Sequence, residues 1–262
     1  MAGQLPYMHW RRYAADPHLA DFLPLEARGA RMLVREGYQA YADLLGLHGA
    51  PAPGGERVAG GRTSHALVPL PGGERAVVRV YRRGGALRHL NRERYFLGHR
   101  AFAELRATEA ARASGVRTPL PLAAAERPGL LGYTALFATR WIPHSRDGAT
   151  WLRAADRPAA HALLRQAGEQ IGRMHAAGVA HPDLNLRNLL VAEESGEQTP
   201  AVYLLDFDRA RLYRGPVPAR RRARDLLRLA RSAHKLRMPL GPKEWSALRE
   251  GYGAAWPLPS LP

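Results

Sequence analysis

Between positions 181 and 191 the chain reads HPDLNLRNLLV, and two of its residues, Asp183 and Asn188, stand five positions apart just before a short apolar run. The next apolar run closes on LLDFD, which puts Asp206 18 positions after Asn188, about the length of chain that one β-hairpin consumes. Phosphoryl transfer from a nucleotide to a hydroxyl needs a carboxylate beside that hydroxyl and hard oxygen ligands that hold Mg²⁺ against the phosphates. Asp183 fits the first role as catalytic base, and Asn188 and Asp206 fit the second as metal ligands. His181 is placed to orient the loop rather than to bind the metal. Taken singly, HPDL is an ordinary turn and DFD an ordinary strand end; their order and spacing together favour the chemical reading.

Such residues need elements to hold them. The stretch from 158 to 177 carries Leu164, Ala167, Ile171 and Met174 at helical spacing and is followed by Gly178 as a stop, so the loop of Asp183 lies between a helix and the strand NLLVA. Further upstream, HALVPL, the turn PGGE and RAVVRVY read as a β-hairpin, preceded by AGGRTS, where Gly60 and Gly61 would let the backbone approach phosphates. From about Arg88 to Ala113 the pattern is helical, with Phe96, Phe102 and Leu105 as its apolar positions, and SGVRTPLP ends it; a strand, YTALFATRWI, follows. The strand residue that grips the nucleotide is normally a lysine paired with a helical glutamate, but the only two lysines, Lys235 and Lys243, lie beyond Asp206. Arg79, at the end of AVVR, takes that place, with Glu104 in RAFAELR as its partner and Glu93 and Glu109 as the other carboxylates within range. Residues 1 to 57 alternate helical patches with breaks such as HGAPAPGGE. The expected division is therefore an N-terminal extension over 1–57 that packs on a small lobe, a nucleotide-binding lobe over 58–138 and a helical catalytic lobe over 139–262.

The 262 residues, 46% apolar and 24% charged, suffice for real cores and exclude a disordered tail. Lys and Arg number 39 against 23 Asp and Glu, a formal charge of +16 that attracts phosphates, nucleic acid or an anionic membrane. The absence of cysteine excludes disulfides and thiolate metal sites and suits a reducing compartment. No apolar run approaches the roughly 18 to 20 residues that span a bilayer, and the first residues lack a basic region followed by an apolar core. The chain is thus expected to stay in the compartment where it is made.

The segments RVYRRGGALRHLNRERY, RAFAELR, GVRTPLPLAAA, HPDLNLRNLLV, LLDFDRA and RLARSAHKL occur in the order of the lipopolysaccharide kinases, which this sequence resembles over about residues 58 to 240. It is most similar to the 3-deoxy-D-manno-octulosonic acid (Kdo) kinases of Gram-negative bacteria. DFD in place of the protein-kinase DFG, and YRRGG after Arg79, are the more specific parts of the match. The resemblance implies an α+β, two-lobed protein-kinase-like fold, ATP and Mg²⁺, and transfer of the γ-phosphate to the 4-hydroxyl of Kdo on lipid A in core synthesis. It casts Asp183 as base, Asn188 and Asp206 as metal ligands, and Arg79 with Glu104, Gly60 and Gly61 as nucleotide-binding. The family's phosphate loop usually has Gly-Arg-Gly where this chain has Gly60-Gly61-Arg62, which leaves the glycine contacts open.

Arg82, Arg83, Arg228, Arg231 and Lys235 are candidates to meet the carboxylate and phosphates of a sugar lipid; a solvated basic face is the other use of the same residues. Kdo-lipid A or a lipopolysaccharide precursor at an anionic membrane surface is then the expected partner, with no nucleic acid and no protein partner. The expected location is peripheral, on the cytoplasmic face of the inner membrane. The run ARRRARDLLRLARSAHKL supplies the docking charge, with Arg228, Arg231 and Lys235 on one helix face. Leu227 and Leu236 in that run are assigned to core packing, with shallow membrane contact as the alternative. Rival readings are a small-molecule phosphotransferase of the aminoglycoside type, in which Asp225 in RDLL is a structural acid, another core-sugar kinase, and a basic nucleic-acid-binding module. A protein kinase is disfavoured because no Ala-Pro-Glu type motif follows Asp206.

Overall fold

In RAVVRVY successive side chains serve two separate cores: Ala76 and Val78 are buried with Met32, Val34, Val68 and Leu136, whereas Tyr81 is buried with Phe102, Leu105 and Phe137. The sheet that divides these cores is seen in a computed structural model, which describes residues 10–49, 56–58, 65–81, 99–129, 132–193, 200–238 and 240–259. The chain divides into two compact units, Met1–Glu109 with Leu120–Trp141 and Ala110–Pro119 with Ile142–Pro262.

The first unit is built on seven antiparallel strands in the order β1-β2-β6-β7-β5-β4-β3. They are β1 (Phe22–Ala27), β2 (Ala30–Arg35), β3 (Glu56–Val58), β4 (His65–Pro69), β5 (Arg75–Val80), β6 (Pro121–Gly129) and β7 (Gly132–Arg140). The hairpin read from the sequence is β4 and β5, with His65 opposite Arg79. The region before it departs from its reading as helical patches. Its one described α-helix is α1 (Arg11–Ala14), a single turn, and it supplies β1 and β2 to the sheet. The reason lies in the double burial. Met32 and Val34 face one core and Leu33 the other, so ARMLVR has no alternation to mark it as a strand. In β6 three buried alanines fill the same role, and alanine carries no strand signal. Pro24 sits in β1 at the sheet edge, where a missing N–H is tolerated. The helix α2 (Arg100–Ala113) lays Phe102 and Leu105 on the second core; the start expected near Arg88 falls outside the described residues.

The second unit is mainly helical. The helix α4 (Arg157–Ala176) is capped by Asp156, whose side chain accepts from the Ala159 amide at 2.8 Å, and buries Leu164, Ala167, Ile171 and Met174 as their spacing predicts. Gly178, at φ 80°, ends it with a backbone that other residues adopt only under strain. Around it stand α3 (Gly148–Ala154), α5 (Ala219–Lys235), α6 (Pro242–Tyr252), the sheet β11-β10-β8 (Ala201–Leu204, Leu189–Ala192, Ser145–Asp147) and the pair β9 (Val179–Ala180) with β12 (Arg211–Leu212). In α5 the residues turned inward are Asp225, Leu226, Leu229 and Ala233. Leu227, assigned to the core from sequence, is instead 40% exposed, because one step of about 100° past Leu226 carries it out of the buried stripe; Leu236 is half-buried.

Helices α4 and α6 approach so closely that neither tolerates a side chain at two points. A Cβ on Gly168 would lie 2.0 Å from the Leu248 carbonyl oxygen, and one on Gly251 would lie 1.8 Å from that of Arg165. Alanine at either site gains about 1 kcal/mol of helix propensity, yet it must push two backbones apart. Gly168→Ala and Gly251→Ala are therefore each expected to lower the unfolding free energy by about 1–3 kcal/mol in urea titrations. Gly215→Ala, where an added carbon meets nothing within 4 Å, should change it by less than about 0.5 kcal/mol.

Candidate active site

The loop of Asp183 is seated before any substrate is considered. The buried His181 gives its backbone N–H to Asp225 Oδ2 at 2.8 Å, donates from Nε2 to the Leu205 carbonyl at 2.8 Å, and lies against the Phe207 ring at 5.2 Å between centroids. It orients the loop, as its position predicts. Asn185 then ties the turn from within: its Nδ2 donates to the Asp183 carbonyl at 2.7 Å, and its Oδ1 accepts from the amides of Arg187 and Asn188. Asn188 Nδ2 donates to the same carbonyl at 3.0 Å. Two side-chain amides thus hold the backbone of Asp183. No sequence argument had singled out Asn185, although Asn ahead of a short helical turn is a known capping signal.

The hairpin spacing between Asn188 and Asp206 has a direct structural cause. Leu189 at the start of β10 pairs with Leu204 at the end of β11, and the Leu205 amide donates to the Asn188 carbonyl at 2.8 Å. Leu205 is held by its amide and its carbonyl, and Phe207 is buried, so Asp206 is fixed from both sides. Its own backbone lies at φ 64°, the left-handed region that costs a non-glycine residue on the order of 1 kcal/mol or more and that recurs at functional sites. With the Asn188 nitrogen engaged, its Oδ1 is the end of the amide left to meet a cation. Asn188 and Asp206 are hard oxygen donors and fit Mg²⁺. Among the described residues no group of three His, Asp or Glu could hold a metal alone.

Behind the loop stands a buried carboxylate. Asp225 meets the His181 amide with Oδ2, has His175 Nε2 3.4 Å from that oxygen and Arg221 Nε 3.5 Å from the other, while His175 Nδ1 is bonded to the Tyr252 hydroxyl at 2.9 Å. Burial pushes the His175 imidazole below its ordinary value, with Asp225 opposing only in part, and burial likewise raises the Tyr252 hydroxyl. Two more residues of α5 reach the loop: Arg228 donates to Asp183 Oδ1 at 2.5 Å, and Ser232 Oγ accepts from the Leu186 amide. Arg231 and Lys235 are exposed on the same helix.

In the first unit, Arg79 on β5 is paired with the buried Glu104 on α2. The Tyr81 hydroxyl donates to the second oxygen of Glu104, and the Arg79 guanidinium lies 4.9 Å from the Tyr81 ring centre. Of the other carboxylates considered, Glu109 pairs with Arg35, and Glu93 falls outside the described residues. Helix α2 is itself anchored by β6, where Glu126 meets His99 Nδ1 at 2.7 Å and accepts from the Ala101 amide. Desolvation raises the Glu126 carboxyl above its usual range, the His99 contact opposing. Gly60, Gly61, Arg82 and Arg83 also fall outside the described residues.

Residues 60–252 match the lipopolysaccharide kinase (Kdo/WaaP) family. A 3-deoxy-D-manno-octulosonic acid kinase of Xanthomonas oryzae pv. oryzae (strain PXO99A) is 34% identical over 258 residues, covering 93% of this chain and 97% of that one. One from Xylella fastidiosa (strain 9a5c) is 34% identical over 207 residues, 75% and 78% of the two chains. Among solved structures, WaaP in complex with acyl carrier protein superposes with a TM-score of 0.62 over 85% of this chain and 88% of that one, at 18% identity. The likeness extends to the fold, which is the α+β, protein-kinase-like one that the sequence led us to expect.

The burial of His175 makes stability depend on pH in a defined sense. The unfolded chain protonates this ring as pH falls through its ordinary 6.5, while the buried ring resists, so stability is kept above that value and is lost as pH drops below it. Thermal melts between about pH 7.5 and pH 5 should show this loss, and His175→Gln should be less stable at the upper end with a shallower decline. An equal slope in both proteins would remove His175 from the account.

Proposed function

Because the chain belongs to the lipopolysaccharide kinase (Kdo/WaaP) family and is a phosphotransferase acting on a hydroxyl group with ATP as co-substrate, we propose that it transfers the γ-phosphate to the 4-hydroxyl of Kdo on (Kdo-)lipid A in lipopolysaccharide core synthesis. The observation that carries this reading is the joint one: relatives that match nearly the whole chain are Kdo kinases, and Asp183, Asn188 and Asp206 are brought onto one hydrogen-bonded loop and hairpin.

On this reading Asp183 accepts the proton of the acceptor hydroxyl as its oxygen bonds to the γ-phosphorus, while the bond from that phosphorus to the bridging oxygen breaks and ADP leaves. Asn188 Oδ1 and the Asp206 carboxylate would hold Mg²⁺, which when bound offsets the negative charge of the phosphates. Arg79 takes the role of the missing lysine, held by Glu104 and Tyr81 so that its fork is presented to the nucleotide rather than left to wander. Gly60 and Gly61 are proposed to line the phosphates. Purified protein given labelled ATP, Mg²⁺ and Kdo-lipid A should phosphorylate Kdo, with lipid A lacking Kdo left unlabelled. Asp183→Asn should keep nucleotide binding and lose about 10² to 10⁴ in turnover; wild-type turnover in that variant would remove Asp183 from the mechanism.

Such an acceptor sits in a membrane, and among the described residues no helix is long and apolar enough to cross one. A peripheral position on the cytoplasmic face of the inner membrane is supported by the +16 charge and by α5, where Arg220, Arg224, Arg228, Arg231 and Lys235 are exposed about the exposed Leu227. WaaP is solved with a protein partner, acyl carrier protein, whereas the sequence reading of this chain expects none, so vesicle binding is measured with the purified chain alone. Pelleting with anionic vesicles is expected at low salt and should be abolished in 1 M NaCl, where charges are screened beyond about 3 Å. Retention at high salt, or no binding at low salt, would exclude electrostatic docking.

A further inference from the structure

Three residues of α5, spaced three and four apart, touch the loop that carries Asp183. Asp225 accepts from the His181 amide, Arg228 donates to the Asp183 carboxylate, and Ser232 accepts from the Leu186 amide. The outer two contacts reach backbone amides and seat the loop, which Asn185 and Asn188 also hold through the Asp183 carbonyl. The middle contact is of another kind. Its two side chains are 50% and 41% exposed, and an ion pair so solvated adds little to stability and opens readily. The loop does not need it in order to fold. Its effect falls on the reaction, since it ties up one oxygen of the carboxylate that must face a neutral hydroxyl. Arginine presents a planar fork of donors whose best partners are carboxylates and phosphates.

We infer that Arg228 is the subsite for an oxyanion carried by the acceptor close to the hydroxyl that is phosphorylated, and that Asp183 occupies this subsite until the acceptor arrives. The inference rests on the reading of Asp183 as the base. An acidic acceptor exchanges with Asp183 on the guanidinium, which frees the base and fixes the hydroxyl beside it in one event. A neutral acceptor offers nothing to take the place of Asp183 on the guanidinium, so the ion pair re-forms and competes with the hydroxyl for the carboxylate. The exchange therefore selects for acidic sugars at the chemical step as well as at binding. The carboxylate of the acceptor sugar proposed above is such a group, and a phosphate on the lipid portion is the other source of the same chemistry.

The test compares the full chain with Arg228→Ala and Arg228→Lys on three acceptors: Kdo-lipid A, its carboxyl-reduced counterpart, and Kdo-lipid A stripped of its lipid phosphates. On the first, Arg228→Ala should lose at least about tenfold in kcat/KM, with a raised KM, and Arg228→Lys should recover part of it. On whichever counterpart lacks the recognised oxyanion, wild type should already show that loss and Arg228→Ala should add nothing to it. Equal losses on all three acceptors would mean that Arg228 only props the loop, and no loss on any would give it no role; either result overturns the inference. A binding measurement stands apart from turnover. In calorimetry with free Kdo or inorganic phosphate as probe, Asp183→Asn should bind more tightly than wild type, because the internal competitor is gone, and Arg228→Ala more weakly. Failure of Asp183→Asn to gain affinity for either probe overturns the exchange. A wild type that binds the probes as described but turns over none of the three acceptors would sink the Kdo reading alone.

Discussion

The Asp225 carboxylate accepting the His181 amide is the contact on which the candidate site depends. A carboxylate taken out of water is costly unless its charge is compensated; here Oδ2 accepts from the His181 amide, while His175 Nε2 of α4 at 3.4 Å and Arg221 Nε of α5 at 3.5 Å stand close without completing a hydrogen bond. His175 in turn meets Tyr252 of α6, whose neighbour Gly251 lets that helix close on α4. Removing the carboxylate would thus leave the buried His181 amide without its acceptor. The seat of the Asp183 loop is built in part from groups buried behind it.

From that anchor the arrangement passes outward through backbone groups. His181 reaches the Leu205 carbonyl, the Leu205 amide reaches Asn188, and Asn188 returns to Asp183. Asp206 sits next in line in a backbone conformation that a residue free of constraint would leave. The cost of that conformation is small beside the burial of Phe207 and the hairpin hydrogen bonds that enforce it, and its effect is to aim an oxygen donor where the chain would not send one unaided. The pair of Arg79 and Glu104 follows the same logic in the other unit. A buried glutamate is supplied with two donors, and the arginine that pairs with it is thereby given a fixed direction.

The basic face of α5 carries two kinds of arginine. Arg221 is spent on Asp225 and is part of the fold, whereas Arg228, Arg231 and Lys235 remain exposed. Spacing along the helix does not separate Arg221 from Arg228, which stand two turns apart on one side of α5; what differs is the partner that the fold brings to each, the buried Asp225 for one and the half-exposed Asp183 for the other. A charge total of +16 cannot make that distinction.

By itself the sequence determined the chemistry and much of the order of elements. Asp183, Asn188 and Asp206 stood out as candidates because phosphoryl transfer demands those residue types, and the hairpin between the last two was legible because strands and turns consume a set length of chain. Arg79 with Glu104 was legible as a strand residue and a helical partner, and α4 as an apolar stripe of period 3.6. What the sequence left undetermined was whatever depends on a second layer of contact. The strands β2 and β6 are buried on both faces, so they lack the alternation that marks a strand, and only packing on two cores shows them. Leu227 lies outside the buried stripe of α5 by a single residue's rotation, which composition cannot reveal. Asp225 was visible as a structural acid in one rival reading and Arg228 as a candidate for the anions of a sugar lipid, but nothing in the sequence set either against the loop of Asp183. Their opposite places, one sealed beneath the loop and one resting on the Asp183 carboxylate, were decided by the tertiary structure, because burial and proximity belong to the folded chain and not to any short stretch of it.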